Sequence, residues 1–481
     1  MEKFGISQVY WRSIFRRLYE QLSDFFSTMD IRHILLVAFA LHLLAAAFPN
    51  DGGLVFDEKH YVPAARLTLQ GLGANPEHTP YTKVLIAISI AVFGDHWFAW
   101  RFPIIVSSTL SLYAFYLLAN KFMEKKYALY ASAFLAFDIV YFIHGTIAVI
   151  DFPSILFGLL FMNFYFERKY KWAALCAAIS FLFLEKVLFF MVAIGLYHLV
   201  TNMRKKKNMG SIERKPERTE SSKSIRKIFL NRLGKKQSWI KLFSFIMIFS
   251  IVVVSGIAVY DAVWHPPRKN IETVKTKKTI YQGENGTIYS TATTRWTETR
   301  HEYINNPIEH LSYAYNYLIG KPVNVTSKPS EWQEPWSWVL PIHPFRHAGY
   351  LVVTVRTGDI VFYKINWRAQ GTIPIWYSIW LILPMAIWNI VKKRQTKFDV
   401  LFLAWIIVSY LPWIIWGIKD IQRFPFNYMF LYTIPALCLG IPYFWSRLRI
   451  RESMRKIGLF THLVLTIIFF MYYFPVGLIF K

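Results

Sequence analysis

Two adjacent carboxylates, Asp57 and Glu58, follow the first long apolar run of the chain. A carboxylate held at a bilayer surface can act as a general base and take a proton from a hydroxyl group. Two charges at the exit of a membrane helix can equally be a solvated pair with no chemical role. Position alone leaves both interpretations open, and the other ionisable residues decide between them.

Further ionisable residues lie near the ends of other apolar runs, all on the side of the membrane predicted for the carboxylate pair. They are His78, Lys83, Arg101, Asp151 and Lys186. Charged groups at membrane depth are costly and tend to mark function. Each also has a structural alternative, because Arg101 and Lys186 can extend to the head groups and Asp151 can cap a helix. Their convergence on one side favours a functional site.

Carboxylates and cations at one membrane surface suit the transfer of a sugar from a lipid-linked phosphate. A carboxylate can deprotonate the acceptor hydroxyl, and cations can hold the phosphate and stabilise it as it leaves. The sequence has no glycine-rich dinucleotide-binding motif or P-loop, which argues against a nucleotide-sugar donor. His60, His78 or Asp151 could ligate a metal, but no spaced ligand motif supports one. We therefore predict neither a metal nor a cofactor.

The composition predicts a membrane protein. The 481 residues are 54% hydrophobic and 18% aromatic, with a mean hydropathy of +0.30, and the apolar residues form long uncharged runs. The net charge of +26 comes from basic residues in loops between these runs, so membrane orientation explains it better than nucleic-acid binding. Both cysteines, Cys176 and Cys438, lie inside apolar runs, which indicates no disulfide framework.

An all-α polytopic fold with about eleven spans is predicted, since each span needs about 20 apolar residues. The candidates are 31–49, 97–119, 127–143, 152–167, 173–185, 187–201, 242–264, 371–392, 398–418, 424–445 and 456–478. The run 173–201 carries Glu185 and Lys186 near its middle. We interpret it as two spans, because two crossings place the basic loops on one side.

The basic residues set the orientation. Arg12, Arg16, Arg17 and Arg32 lie before or at the start of the first span, which predicts a cytoplasmic N-terminus. No signal-peptide pattern precedes that span. The segment 203–241 is rich in Lys and Ser and is predicted as a flexible basic cytoplasmic loop.

Three parts of the chain are distinguished. Residues 1–264 form an N-terminal transmembrane catalytic module with a first external loop at 50–96, residues 265–370 a large external loop, and residues 371–481 the C-terminal transmembrane helices. The apolar stretch 84–93 in the first loop is too short to span and is expected in the membrane interface. The large loop carries acceptor sequons at Asn285 and Asn324, as an external segment would.

Several sequence blocks resemble those of the protein O-mannosyltransferases. Their order along the chain is more specific than any single block, and they occupy residues 56–58, 78–83, 85–87, 93–95, 100–103, 330–338, 371–377, 410–413 and 423–430. That family belongs to the GT-C superfamily of polytopic glycosyltransferases, which also includes the aminoarabinose transferases of lipid A. The resemblance covers residues 35–445.

The resemblance implies roles for individual residues. Asp57 would be the base that activates the acceptor hydroxyl, and Glu58 would support acceptor or sugar binding. Arg101 and Lys186 would contact the donor phosphate, with assistance from Arg423. The loop residues His78 and Lys83 and the span residue Asp151 would shape the substrate site.

The implied activity is inverting transfer of mannose from a polyprenyl or dolichyl phosphate to Ser or Thr hydroxyls of exported proteins. The expected setting is the outer face of a prokaryotic plasma membrane, because the large loop is too short for the MIR domain of the eukaryotic enzymes. Two alternatives stay open: the same fold with a lipid or cell-surface glycan as acceptor, and a lipid flippase or transporter. The chain also departs from the family where it reads His-Thr-Pro-Tyr-Thr-Lys at 78–83.

Overall fold

A computed structural model describes the backbone of most of the chain. The described residues are 30–48, 53–212, 221–264, 268–282, 288–304, 306–319, 334–339, 349–357, 361–368, 371–418 and 426–480. Within them, side chains are described except at 203–212, 221–238, 268–282, 288–303, 318–319, 349–357, 361–366, 368, 418 and 476–480. Arg423, both sequons and residues 1–29 lie outside the described residues.

Helices dominate the N-terminal part of the chain, as the hydropathy predicts. In order they are α1 (Ile31–Ala46), α2 (Glu58–Leu69), α3 (Tyr81–Phe93), α4 (Trp97–Ala119), α5 (Lys125–Ala136), α6 (Ile139–His144), α7 (Asp151–Phe166), α8 (Tyr170–Phe183), α9 (Leu188–Ile212) and α10 (Ser221–Val263). Gly94 ends α3 with a φ of +89°, a left-handed conformation that glycine adopts without steric cost. The apolar stretch 84–93, which was expected in the membrane interface, lies within α3.

The C-terminal helices follow the large loop. They are α11 (Pro307–Ile319), α12 (Ile373–Trp376), α13 (Ile379–Val391), α14 (Lys397–Ile418), α15 (Ile434–Arg447) and α16 (Glu452–Tyr473). Short 3₁₀ helices lie at Glu185–Val187, Pro335–Val339 and Asn427–Tyr432. Among the described residues, five helices are long and apolar enough to cross a membrane. Most of the predicted spans coincide with one helix, but 127–143 and 371–392 each contain two helices. The predicted span 424–445 includes residues outside the described ranges and a 3₁₀ helix before α15. Eleven crossings remain a prediction.

The run 173–201 divides into two helices, as predicted. Helix α8 ends at Phe183, and Leu184 is extended with φ −163° and ψ 132°. The 3₁₀ turn Glu185–Val187 then leads directly into α9. This break places Glu185 and Lys186 in a turn between two helices instead of inside one.

The basic segment 203–241 differs from the predicted flexible loop. Helix α9 continues to Ile212, and α10 begins at Ser221, so much of the segment extends two membrane helices. Lys and Arg are good helix formers, which explains why a highly charged segment continues the helical backbone of the adjoining spans.

The described ranges contain five strands, which the all-α prediction did not include. β1 (Arg268–Gln282) and β2 (Ile288–Tyr303) form an antiparallel hairpin. β3 (Gly349–Thr357), β4 (Val361–Arg368) and β5 (Val476–Phe480) form an antiparallel sheet in the order β3-β4-β5. The sequences of β1 and β2 contain many Thr residues, which favour strands. Pairing of β5 with β4 brings the end of α16 to the side occupied by the large loop.

Helix α4 lies at the centre of the part of the bundle that carries the site. It packs against α1, α3, α5 and α7. Hydrogen bonds bring four parts of the chain near one another. These parts are the N-terminal ends of α2, α4 and α7 and the turn before α9. One end of the bundle therefore collects most of the ionisable residues singled out from the sequence.

Candidate functional site

A buried ion pair joins α2 to α4. Arg101 Nε lies 2.8 Å from Glu58 Oε1, and Arg101 Nη2 lies 2.8 Å from Glu58 Oε2. Both side chains are 0% exposed. The Glu58 oxygens also accept hydrogen bonds from the backbone amides of Val55 and Ala148, each at 2.7 Å. Glu58 thus connects the first loop to α4 and to the segment before α7.

Arg101 and Glu58, which were expected to contact the donor phosphate and to support acceptor or sugar binding, both bond to protein groups in the structure. The remaining Arg101 nitrogen, Nη1, donates to the carbonyls of Ala46 at 2.7 Å and Phe48 at 3.3 Å. Every guanidinium nitrogen of Arg101 therefore has a protein acceptor. A bidentate Arg–carboxylate pair of this kind fixes geometry as well as charge.

Asp57 has a different environment although it precedes Glu58 directly. It occupies the N-cap position of α2 without a side-chain capping bond, and it is partly exposed. No hydrogen bond to its carboxylate is found within the described ranges. Burial raises the pKa of the Asp57 carboxyl, and the charge of Asp151 raises it further, while His60, His144 and Lys186 oppose the shift. The carboxylate is thus available to accept a proton.

The turn before Asp57 sets its direction. Phe56 has a φ of +55°, which is uncommon for a residue with a side chain and often occurs at functional sites. The Glu58 amide donates to the Val55 carbonyl at 3.1 Å across this turn. Because Glu58 is fixed by Arg101 on the buried side, the turn directs the preceding carboxylate away from the core.

A second ion pair lies beside Asp57. Lys186 Nζ is 3.0 Å from Asp151 Oδ1, and their side chains are 15% and 8% exposed respectively. His144 Nδ1 lies 3.7 Å from Asp151 Oδ2. Lys186 Nζ also lies 5.8 Å from the centroid of the Tyr432 ring. The ammonium group keeps further N–H donors for a phosphate, since it can donate three hydrogen bonds.

The segment 75–83 contacts the 3₁₀ turn Glu185–Val187 that carries Lys186. His78 Nδ1 is 3.0 Å from Glu185 Oε1, next to Lys186 in sequence. Lys83 is 1% exposed and donates from Nζ to the Asn75 carbonyl at 2.5 Å and the His78 carbonyl at 2.9 Å. Lys83 therefore holds the shape of the loop, and His78 anchors it beside Lys186.

The block at 371–377 connects the C-terminal helices to this site. Trp376 Nε1 donates to Asp138 Oδ2 at 2.9 Å, and Thr372 Oγ1 accepts the Ile139 amide at 2.8 Å. Asp138 caps α6 by accepting the Tyr141 amide at 2.9 Å. Since α6 ends at His144, this block positions the segment that carries His144 and Asp151.

Three residues near the site were not assigned a role from the sequence. Glu185 was visible as a charge inside an apolar run but was passed over for its neighbour Lys186. Tyr428 lies in the block 423–430 that resembles the family, but no role was inferred for it. His144 carried no recognisable signal, because a single histidine at the edge of an apolar run is common. Their rings stack at 5.2 Å between centroids.

The described residues contain no group of three or more His, Cys, Asp or Glu side chains placed to hold a metal ion. Of the ligands considered from the sequence, His60 is exposed, His78 pairs with Glu185 and Asp151 pairs with Lys186. Arg423, which was expected to assist in contacting the donor phosphate, lies outside the described residues.

Residues 77–212 match the dolichyl-phosphate-mannose-protein mannosyltransferase family. A segment of 77 residues is 42% identical to the polyprenol-phosphate-mannose–protein mannosyltransferase of Mycobacterium tuberculosis, in strains CDC 1551 / Oshkosh and ATCC 25618 / H37Rv alike. That segment covers 14% of this chain and 15% of the mycobacterial protein. The resemblance seen in the motifs is thus confirmed over residues 77–212, which include Arg101, Asp151 and Lys186.

The fold extends over nearly the whole chain. The protein O-mannosyltransferase Pmt1-Pmt2 complex of S. cerevisiae, bound to the sugar donor, matches with a TM-score of 0.61 at 11% identity, covering 93% of this chain and 90% of that one. ArnT from Cupriavidus metallidurans matches with a TM-score of 0.48 at 11% identity, covering 89% and 62%. The chain therefore shares the fold of the yeast complex, and it is a multi-pass integral membrane protein.

Proposed function

We propose that the chain is an inverting glycosyltransferase that moves mannose from a polyprenyl-phosphate donor to Ser or Thr hydroxyls of exported proteins. The observation that carries the proposal is the contrast between two neighbouring carboxylates. Glu58 is fully buried and bound to Arg101, whereas Asp57 is partly exposed beside the Asp151–Lys186 pair. Environments that separate the roles of paired carboxylates are typical of catalytic sites. The similarity of residues 77–212 to mannosyltransferases supports the choice of reaction.

Asp57 removes the proton of the acceptor hydroxyl as its oxygen attacks the anomeric carbon. The bond from that carbon to the phosphate oxygen breaks on the opposite face, so the configuration inverts. The lipid phosphate leaves as an anion, which the Lys186 ammonium stabilises. Glu58 and Arg101 keep Asp57 in place, and His78 and Lys83 shape the adjoining loop.

The proposed location is the plasma membrane of a prokaryote, with the site on the outer face and the N-terminus in the cytoplasm. The distribution of Lys and Arg among the loops supports this orientation. A donor with its lipid in the outer leaflet can enter laterally, and an exported protein arrives from the aqueous side.

The test is incubation of the purified protein with polyprenyl-phosphate mannose and a Ser/Thr-rich peptide, scored by mass spectrometry for glycopeptide. Asp57→Asn should reduce transfer by about a hundredfold or more, because general bases contribute about 10²–10⁴-fold, and should leave donor binding unchanged. Asp95→Asn is the matched control, since Asp95 ends the same loop and pairs with Arg66 at the surface. Full transfer by Asp57→Asn would show that Asp57 is not the general base. Mannose recovered in lipids instead of peptide would show that the acceptor is not a protein.

A further inference from the structure

His144 is a buried side chain whose nearest charged neighbour, Asp151, lies beyond normal hydrogen-bond distance. It ends α6 and is 1% exposed. Neither ring nitrogen has a hydrogen-bond partner among the residues that the structure describes. The 3.7 Å from Nδ1 to Asp151 Oδ2 exceeds a normal hydrogen bond. Because buried polar groups are almost always hydrogen-bonded, an imidazole without such a bond beside a candidate site is a candidate to bind a ligand.

His144 belongs to a group of rings, here called the aromatic wall: Phe56, His144, Phe426 and Tyr428. Tyr428 stacks on His144 with centroids 5.2 Å apart and on Phe426 at 5.9 Å. Phe56 meets Tyr428 edge-on at 5.2 Å. Phe56, Phe426 and Tyr428 are partly exposed. Apolar and aromatic surfaces with a few placed polar groups are typical of small-molecule sites.

The charges around His144 favour a sugar hydroxyl over a phosphate as its partner. Asp151 Oδ2 is the nearest charged atom, and Asp57 is close enough for its charge to interact with His144. A phosphate placed between these carboxylates would be repelled, whereas a sugar hydroxyl is neutral and can both donate and accept. The phosphate is instead favoured near Lys186, which lies on the Oδ1 side of Asp151.

We propose that His144 binds the sugar of the lipid-linked donor, with a ring nitrogen hydrogen-bonded to a sugar hydroxyl and the sugar ring lying against the aromatic wall. The assignment rests on the proposed function for the identity of the donor. It makes His144 a residue that determines recognition of the sugar and not of the lipid phosphate.

The test compares binding of polyprenyl phosphate and polyprenyl-phosphate mannose to the purified full-length protein by calorimetry in detergent. His144→Leu should weaken binding of the mannose lipid about five- to tenfold, as expected for the loss of one hydrogen bond. Binding of polyprenyl phosphate should stay within about twofold, since its phosphate contacts are intact. His144→Gln retains an N–H donor and should lose less than His144→Leu.

His198→Leu is the matched control. His198 Nδ1 bonds the Tyr165 hydroxyl at 2.6 Å, and Tyr165 lies at the end of α7 opposite Asp151, which is about 20 Å away along the helix. This substitution should change neither affinity. If His144→Leu does not fold, His144→Gln and Tyr428→Leu provide the same test. In each variant the affinity for polyprenyl-phosphate mannose is compared with the affinity for polyprenyl phosphate.

Equal weakening for both lipids, or no weakening for either, would overturn the assignment. A wild-type protein that prefers the mannose lipid through His144 but forms no glycopeptide would uphold the sugar contact and refute the proposed function. A wild-type protein that transfers mannose while His144→Leu binds both lipids normally would refute the sugar contact and uphold the proposed function.

Discussion

Replacing Arg101 with Met separates a positioning role from a phosphate-binding role. The side chain of Met has a similar length but no charge and no donor. In the wild-type protein, Glu58 accepts two hydrogen bonds from Arg101 at 2.8 Å. After the substitution Glu58 would keep only the amides of Val55 and Ala148, and its charge would be buried without a counter-ion.

The expected loss of stability is large. Removing one partner of a buried ion pair costs about 3–5 kcal/mol, because the other charge stays buried and uncompensated. Replacing Glu58 with Gln in the same protein removes that charge. The double variant should therefore be less destabilised than the sum of the single variants, with an interaction energy of about 1–3 kcal/mol.

Unfolding followed by tryptophan fluorescence in detergent measures these differences, and binding of polyprenyl phosphate is measured in parallel. Lys121→Met is a control, because Lys121 forms a more exposed pair with Glu167, and such pairs contribute only about 0–1 kcal/mol. Folded Arg101→Met protein should bind polyprenyl phosphate normally. A variant with wild-type stability that no longer binds this lipid would refute the positioning role and restore the phosphate contact.

Three further outcomes are expected. Transfer, measured as kcat/KM, should fall as the pH is lowered through the raised pKa of Asp57, because a protonated carboxyl cannot accept a proton. A fall in kcat/KM with a pKa at or below the ordinary aspartate value of 3.8 would contradict this. Lys83→Met should lower kcat/KM about tenfold or more, since charged hydrogen bonds such as that to Asn75 contribute about 1.5–3 kcal/mol, and limited proteolysis should detect a loosened loop. Trp376→Phe leaves Asp138 without the bond to the indole and should lower the unfolding free energy by about 1–3 kcal/mol; an unchanged unfolding curve would show that the contact is dispensable.

The sequence by itself determined that this is a helical membrane protein with its ionisable residues at one end of the bundle. Hydropathy and the Lys/Arg distribution act locally along the chain, so a single sequence reports them. The break within 173–201 was predictable for the same reason, because two crossings place the basic loops on one side of the membrane. The strands of the large loop were missed, although the Thr residues of β1 and β2 favour strands.

Only the tertiary structure decided which carboxylate of the first loop is free. Successive residues at a helix start point in directions about 100° apart, and the choice between Asp57 and Glu58 depends on Arg101, which lies 43 residues beyond Glu58. His144 likewise gained its significance from Tyr428 and Asp151, which reach it from other segments. Side-chain pairing between distant segments is a property of packing, and no local pattern in the chain encodes it.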